Sequence, residues 1–398
     1  MADRPQMAAI TIGGKGSSLS STSVFLVANK LAQVRIDSSI LDKLSSSSNK
    51  NSPPPIKYQL SFPKFLTLDE IRASAILLLS KLLLSSSTIR ADIPNWICQT
   101  LNSDLETESS CLSFAIIDVT EEEKCMLDNC LAVSALDGIC ALLDYGASCL
   151  SPVAESVAAL SCEALKAKVS AFNLVDSGDG KCLKDEASVA SDLKVLLNGS
   201  KLIGKVEVDA ASRIPKVYGS FREAVRAVHL RARVELNSGM DGEIGGTGKA
   251  WEPALSSLTS ALRNFGESSL SRMDLNASSV GSDELQSSLR CLIDEKCPTK
   301  QNLRDAFMLV SKAIVEEEYV LCVHNVNGLF GLVMATVSWE MITAVVSLEG
   351  SELLEKTEDV AANGANAKVD KKSDKKKKVL ERGQLPFCSL LEIDCRLY

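Results

Sequence analysis

The sequence predicts an all-α protein, a helical bundle whose core is filled mainly by aliphatic side chains. Apolar residues make up 45% of the 398-residue chain, enough for a large buried core, while aromatic residues make up only 5%. Segments rich in leucine and alanine place apolar residues at helical spacing one after another. Convincing alternation of apolar and polar residues, the pattern of a strand, is rare. These observations favour packed helices over a mixed fold.

The chain divides into four predicted regions. Residues 1–23 are rich in glycine and serine, which predicts a flexible N-terminus, and residues 24–350 form the helical domain. Residues 351–382 lose the apolar periodicity and carry a lysine run, so they are predicted as a disordered basic linker. Residues 383–398 form an apolar tail without periodicity. Near the start of the domain, the segment Val34–Leu41 is predicted as a short strand or the start of a helix.

Two helix starts are marked by capping residues. Thr67 and Glu70 match a capping box, in which the threonine hydroxyl accepts from an orphan amide while the carboxylate reaches back to the first residue. Thr299 is predicted to cap a later helix. Apolar residues follow each cap at helical spacing: Ile71, Ala75, Leu78, Leu79 and Leu82 after the first, and Leu303, Phe307, Val310 and Ile314 after the second.

Two more helices are predicted between these. Ser151 followed by Pro152 is typical of a helix start, because proline is tolerated at the first helical position. The buried stripe of this helix is predicted to be Val153, Val157, Leu160 and Ala164. A second helix begins at about Phe221 and is predicted to bury Phe221, Val225, Val228 and Ala232.

The most apolar segment is Gly328–Leu348, which is long enough to span a membrane. It contains Glu340, whose carboxylate is unfavourable inside a bilayer, and it has no flanking basic cluster. We therefore expect a fully buried helix pair of a bundle and no membrane contact.

Charge is distributed unevenly along the chain. The formal net charge is −8, but residues 368–382 carry eight bases against three acids, so the rest of the chain has a net charge of −13. The lysines could contact tRNA or another polyanion by releasing its counterions. They could equally be a solvated spacer or resemble a nuclear-import patch. The candidate nucleic-acid contacts are Lys371, Lys372, Lys375, Lys376, Lys377 and Lys378.

Cysteine and histidine usage predicts neither a metal site nor redox chemistry. The thirteen cysteines contain no Cys-x-x-Cys pair. Cys140 and Cys162 lie among apolar residues, so we expect reduced thiols that pack like small hydrophobic groups in a cytosolic protein. The two histidines are predicted to be structural, His229 on the helix after Phe221 and His324 in a turn rich in asparagine.

Two other segments resemble known sequence signals in part. The glycine-rich stretch Gly242–Lys249 resembles a phosphate-binding loop, but Glu243 replaces its first glycine and Ala250 its metal-binding hydroxyl. We predict a flexible loop between helices. No apolar run follows Met1 as in a signal peptide, and we expect a cytoplasmic protein, with an organellar transit sequence in residues 1–36 as the alternative.

The segment Ile214–Ser238 resembles the entry into a long core helix of histidine and phenylalanine ammonia-lyases. Residues 161–173, 187–200 and 209–215 resemble neighbouring parts of the same family, with Ala211 replacing an active-site tyrosine. The resemblance implies a helical bundle of the aromatic amino acid ammonia-lyase (aspartase-like) type. These lyases build a methylidene-imidazolone electrophile from consecutive Ala-Ser-Gly, which occurs nowhere in this sequence.

The lyase resemblance implies a catalytically silent fold. We predict no catalytic residues, no cofactor and no metal, because the string nearest to Ala-Ser-Gly, Gly146–Cys149, ends in cysteine. What remains of the site is predicted as a vestigial ligand pocket of Arg213, Tyr218 and Asn237. The alternatives are a pocket that senses histidine or another amino acid, and a lyase with an unrecognised electrophile.

Residues 10–20, 34–39, 63–67 and 375–380 resemble the N-terminal extension of plant cytosolic histidine–tRNA ligases. In that family a lyase-like extension precedes a class II synthetase core that binds ATP, histidine and tRNA. No motif of that core follows Leu380. We therefore expect a truncated or alternatively spliced product without aminoacylation activity of its own. Its expected roles are self-association, docking to other translation proteins, or auxiliary tRNA contact through the lysine linker.

Overall fold

The computed structural model describes most of the predicted helical domain. The described residues are 8–14, 17–46, 55–85, 89–103, 114–175, 182–239 and 247–363. The lysine run, the tail 383–398 and most of the glycine-rich stretch Gly242–Lys249 lie outside the described residues.

Helices dominate the described part of the chain. The strands are β1 (Ala8–Ile12), β2 (Ala32–Ile36), β3 (Ile56–Ser61) and β4 (Phe114–Val119). The helices are α1 (Ser21–Ala28), α2 (Ser38–Ser46), α3 (Leu68–Leu84), α4 (Asp92–Asn102), α5 (Glu121–Ala164), α6 (Ser170–Val175), α7 (Lys184–Leu196), α8 (Asp209–Ser212), α9 (Ile214–Glu235), α10 (Thr247–Ser278), α11 (Asp283–Lys296), α12 (Lys300–Val315) and α13 (Tyr319–Asn363).

Regular structure begins earlier than the glycine- and serine-rich composition predicted. Strand β1 pairs in parallel with β2, from Ala8 opposite Ala32 to Ile12 opposite Ile36. Ile12 and Val34 are buried, so apolar burial orders a segment that composition alone assigned to flexible chain. The segment Val34–Leu41 contains both predicted alternatives, since β2 ends in it and α2 begins in it. Strands β3 and β4 form a separate antiparallel pair.

The chain forms two compact units, each assembled from separate stretches. The first unit comprises the described residues within Met1–Val153, Gly219–Arg263 and Arg304–Phe330; the second comprises those within Ala154–Tyr218, Asn264–Leu303 and Gly331–Tyr398. Helix α3 lies in the interior of the first unit and buries nearly every side chain. Gly138 of α5 packs so closely that a Cβ added there would lie 2.7 Å from the backbone of Ala73.

Both predicted caps are confirmed. Thr67 and Glu70 exchange bonds as a capping box: the Glu70 amide donates to the threonine hydroxyl at 3.3 Å and the Thr67 amide donates to the carboxylate at 2.9 Å. Thr299 accepts from the amide of Asn302 at 3.2 Å, at the start of α12. In α12, Leu303 and Val310 are buried while Phe307 and Ile314 are half-buried.

The predicted helix start at Ser151-Pro152 is wrong. Both residues lie inside α5, which runs unbroken from Glu121 to Ala164. Proline removes one backbone hydrogen bond from a helix interior, yet buried residues on both sides, Leu150 and Ala154 among them, hold this helix together by packing. Val153 was predicted to point inward and is exposed. The helix predicted from Phe221 begins earlier, at Ile214, and its four predicted core residues are buried.

The apolar segment Gly328–Leu348 is part of one helix, α13, and not of a helix pair. His324 also lies in this helix rather than in a turn. Helix α13 reaches Asn363, so the predicted linker begins within a helix. By length and composition, α5 and Tyr319–Gly350 could each cross a membrane; their most apolar windows are 67% and 39% buried inside the protein. The prediction of full burial for Gly328–Leu348 is therefore wrong, because this helix is apolar on more sides than the protein covers.

The second unit has an apolar cluster at the end of α10. Ala277, Val280 and Leu289 are buried there, with Leu285, Ile293 and Val346 packed around them. This cluster joins α10, α11 and α13 and helps fix α10 against α13 within the second unit.

Candidate functional site

A fully buried ion pair lies in the interior of the second unit. Arg272 of α10 donates to Glu340 of α13 from Nε at 2.6 Å and from Nη2 at 2.9 Å, and neither side chain is exposed. Two hydroxyls also donate hydrogen bonds to the Glu340 carboxylate: Ser161 to one oxygen at 2.8 Å and Ser269 to the other at 2.7 Å. Such a bidentate arrangement is the strongest form of a charge-assisted contact.

Tyr218 of α9 belongs to the same cluster. Its hydroxyl accepts from Arg272 Nη2 at 2.7 Å, and its ring packs against Phe265 at 4.4 Å between centroids. Burial raises the pKa of Tyr218 above its ordinary value of 10.0, so the phenol is neutral at physiological pH. Burial alone would lower the pKa of Arg272, but the charge and hydrogen bonds of Glu340 raise it further than burial lowers it. The cluster therefore contains one cation, one carboxylate and a neutral phenol.

The first unit contains a second buried ion pair. Lys81 Nζ of α3 lies 2.8 Å from Asp137 Oδ2 of α5, and both side chains are almost completely buried. Trp251 donates its indole N–H to the other carboxylate oxygen at 2.8 Å, and Lys81 also donates to the carbonyl of Glu235 at 3.1 Å. Burial raises the pKa of Asp137 against the opposing effect of Lys81.

The two histidines each contact a buried carboxylate in the first unit. His324 Nδ1 lies 2.9 Å from Glu70, and Asn327 donates to the same carboxylate at 2.9 Å. The hydrogen bond to Glu70 raises the pKa of His324 above 6.5, although burial opposes it. His229 Nδ1 lies 3.0 Å from Asp144, which also accepts from the hydroxyl of Ser21.

The His229 contact has the wrong order for a hydrolytic triad. In a triad the histidine lies between the hydroxyl and the carboxylate, whereas here Asp144 lies between Ser21 and His229. Asp144 thus joins α1, α5 and α9 by hydrogen bonds. Both histidines act as packing and hydrogen-bonding groups in the described structure.

The buried cysteines are protonated thiols. Burial raises the pKa of Cys130 to about 11 and the pKa values of Cys162 and Cys322 to about 12. Cys140 and Cys162 are buried and free, as the sequence predicted. Among the described residues, no group of three or more histidine, cysteine or carboxylate side chains is placed to hold a metal ion.

The three residues of the predicted ligand pocket have separate partners. Arg213 is exposed and pairs with Asp209 one turn earlier. Tyr218 is only 1% exposed and bonds to Arg272. Asn237 closes a backbone contact by accepting from the Leu19 amide at 2.8 Å and donating to the Leu19 carbonyl at 3.0 Å. The pocket stays a prediction, and in this structure the hydroxyl of Tyr218 is closed off from solvent.

A cavity of about 830 Å³ opens on the surface of the second unit. One wall is formed by residues near the end of α5 and by the segment from Val206 to Ala210, which includes Asp209, the partner of Arg213. The other wall is formed by the C-terminal part of α10 together with Lys300. The lining combines carboxylate, amine and hydroxyl groups with apolar side chains.

Comparison with solved structures shows the fold. A tyrosine aminomutase from Streptomyces globisporus superposes with a TM-score of 0.60, covering 95% of this chain and 97% of the other at 16% identity. Histidine ammonia-lyase from Trypanosoma cruzi gives 0.58 over 86% of this chain and 85% of its own, also at 16% identity. The chain therefore has the fold of the aromatic amino acid ammonia-lyases and aminomutases, and identities this low show the fold alone.

Sequence comparison finds relatives of a different name. A cytoplasmic histidine–tRNA ligase of Arabidopsis thaliana is 41% identical over 381 residues, which are 93% of this chain and 41% of the ligase. The chain is similar to plant histidine–tRNA ligases. The ligase of Oryza sativa subsp. japonica is 36% identical over 63% of this chain and 33% of its own length. The chain thus spans less than half the length of these relatives, and no protein-family profile matches it.

Sequence reasoning found Tyr218 but not its partners. Arg272 and Glu340 are 68 residues apart, and Ser161 is 179 residues from Glu340, so no local pattern connects them. One signal was available: Glu340 interrupts the most apolar segment of the chain, and a buried carboxylate requires a cation or several donors. That requirement indicates an arginine or lysine on another core helix.

Proposed function

We propose that this chain is a non-catalytic helical part of a plant-type cytoplasmic histidine–tRNA ligase that serves protein interaction or auxiliary tRNA contact in translation. The observation that carries the proposal is the 41% identity to such a ligase over 93% of the chain. The relatives are cytoplasmic enzymes by name, and we place this chain in the cytoplasm as well.

The absence of an Ala-Ser-Gly string supports a silent lyase fold. The nearest string, Gly146–Cys149, lies inside α5. Backbone amides and carbonyls in a helix interior are paired with each other, so cyclisation of this segment would have to break the helix. The lyase-like fold then serves as a scaffold, and the polar groups of its interior bind to one another.

Exposed apolar side chains on α12 support a role in protein contact. Met308, Leu309 and Val315 are between 57% and 82% exposed. Met308 and Val315 are seven residues apart and therefore lie on the same side of the helix. Apolar groups held in water on one helix side favour a partner protein or a second copy of this chain.

The experiment that tests the tRNA role is a salt-titrated binding assay with transcribed histidine tRNA, using the full chain and a chain that lacks residues 368–398. Salt-dependent binding that disappears on truncation would support a tRNA-contacting linker. Substitution of Lys375–Lys378 by alanine should lower the affinity and flatten its salt dependence. If neither form binds tRNA, auxiliary tRNA contact is excluded, and light scattering of the same samples tests the protein-interaction role.

An amino-acid sensor is the second candidate, and the mixed lining of the 830 Å³ cavity favours it. Titration calorimetry with histidine tests this candidate, with Lys300→Ala as a variant of the cavity wall. Heat that saturates and is reduced in the variant would support a sensor. An absence of heat at millimolar histidine would remove it.

A further inference from the structure

Helix α9 carries a row of basic side chains on one side. Arg222, Arg226, His229 and Arg233 follow each other at intervals of four, three and four residues. This spacing puts all four on one face of an α-helix. With a rise of about 1.5 Å per residue, the row is about 16 Å long.

The row faces water. Arg226, His229 and Arg233 are exposed, and Arg222 is half-buried. The neighbouring side of the helix, about 100° around its axis from the row, is held in the core by Phe221, Val225, Val228 and Ala232, all of which are buried. The helix is therefore rigid, and its orientation presents the basic row outward.

The charge of α9 contrasts with that of the chain. The helix contains five bases, Lys216, Arg222, Arg226, Arg231 and Arg233, and two acids, Glu223 and Glu235. One of these bases, Arg231, lies away from the row and pairs with Glu235 at 3.1 Å. In a chain of net charge −8, this helix is a local positive surface, and such a surface attracts polyanions.

The arginine side chains of this row are well suited to binding phosphate groups. Its planar guanidinium binds phosphate oxygens in pairs, and it carries five N–H donors. Arg222 and Arg226 also have contacts inside the protein, and a guanidinium can bridge an internal partner and a phosphate because its five donors point in different directions. Among the described residues, no carboxylate is paired with Arg233. His229 is fixed by Asp144 at Nδ1 while half of its side chain is exposed.

We infer that this basic row of α9 binds the phosphate backbone of RNA. Phosphates along one strand of a duplex are spaced by about 3.4 Å along the axis, so a row of this length reaches several of them. The contact is with phosphates and is therefore independent of base sequence. The inference deepens the proposed tRNA role by assigning the contact to a folded helix, separate from the lysine linker.

The test compares four full-length proteins by salt-titrated binding to transcribed histidine tRNA: the unaltered chain, Arg226→Gln/Arg233→Gln, the control Arg231→Gln, and a chain with Lys375–Lys378 changed to alanine. We expect the double variant to bind about tenfold or more weakly at 0.1 M salt, with a salt slope smaller by about two. Arg231→Gln should leave both values unchanged, because Arg231 lies away from the row. Equal circular dichroism and unfolding midpoints establish that all four proteins are folded.

The remaining outcomes separate this inference from the proposed function. If the lysine variant loses binding and the double variant does not, tRNA contact stands but the helix row is overturned. If the unaltered chain binds no tRNA, both are overturned, and protein interaction remains. Vesicles that contain anionic phospholipid serve as the second probe. If the chain binds these vesicles through Arg226 and Arg233 but does not bind tRNA, RNA is overturned as the ligand.

Discussion

Each of the two units buries a carboxylate, and the two carboxylates differ in the number of hydrogen-bond donors that surround them. In the second unit, both carboxylate oxygens of Glu340 are held by a bidentate arginine and two serine hydroxyls. In the first unit, Asp137 has a lysine on one oxygen and an indole N–H on the other. Burial raises the pKa of Asp137, and the charge and hydrogen bond of Lys81 and the hydrogen bond of Trp251 oppose that shift. The number of donors, and not burial alone, decides how firmly a charge can be held in the interior.

The largest effect is expected at the arginine of the second unit. Arg272→Met leaves the charge of Glu340 buried without its cation, and we expect the free energy of unfolding to fall by about 3–5 kcal/mol. Urea denaturation monitored by circular dichroism measures this loss. The control Arg272→Met/Glu340→Leu should recover much of it, because it removes both charges together. A double variant as unstable as the single one would contradict the electrostatic explanation.

A smaller and pH-dependent effect is expected at the lysine of the first unit. In Lys81→Met, Asp137 can take up a proton, since burial already raises its pKa above the ordinary 3.8. A group whose pKa is raised by folding contributes stability that is complete below its unfolded pKa and is lost as pH rises through the folded value. The unfolding free energy of Lys81→Met should therefore decrease as pH rises. Lys81→Met/Asp137→Asn should show no such pH dependence, and equal slopes in the two variants would exclude protonation of Asp137.

The half-buried pair of His324 and Glu70 should contribute on the order of 1 kcal/mol. The pKa of His324 is raised by Glu70, so this stabilisation is complete below pH 6.5 and is lost as the pH rises through the folded pKa. His324→Gln should consequently destabilise the protein at pH 5.5 and have little effect at pH 8.5. The measurement is the thermal unfolding midpoint at both pH values, and a larger shift at pH 8.5 would reverse the assigned sign.

The smallest effect is expected at the surface. Lys57 and Asp118 lie 2.8 Å apart across the β3–β4 pair, with 72% and 51% of their side chains exposed. Exposed pairs of this kind contribute about 0–1 kcal/mol. Lys57→Ala should change the urea midpoint little, and the change should shrink further in 1 M salt. If Lys57→Ala lowered the free energy of unfolding as much as Lys81→Met does, the exposure of an ion pair would not determine its contribution to stability.

The fold class and the helix caps could be predicted because they depend on neighbours in sequence. The capping box of Thr67 and Glu70 involves residues three positions apart, and the buried face of α9 follows a local period. The continuity of α5 through Pro152 could not be predicted, because packing of residues before and after the proline overrides a local signal. The partners of Glu340 could not be predicted either, because they are distant from it in sequence and only the folded chain brings them together.

The long reach of the contacts in the first unit has a consequence for synthesis on the ribosome. Glu70 meets His324, which follows it by 254 residues, and Leu19 meets Asn237, which follows it by 218. At about 5–20 residues per second, the ribosome needs about 13–50 seconds to pass from Glu70 to His324. During that interval part of the surface that buries α3 has not yet been synthesised, although nearly every side chain of this helix is buried in the folded protein. The leucine-rich part of α3 thus stays exposed on the nascent chain until the later stretches emerge, and apolar surface exposed in this way favours aggregation.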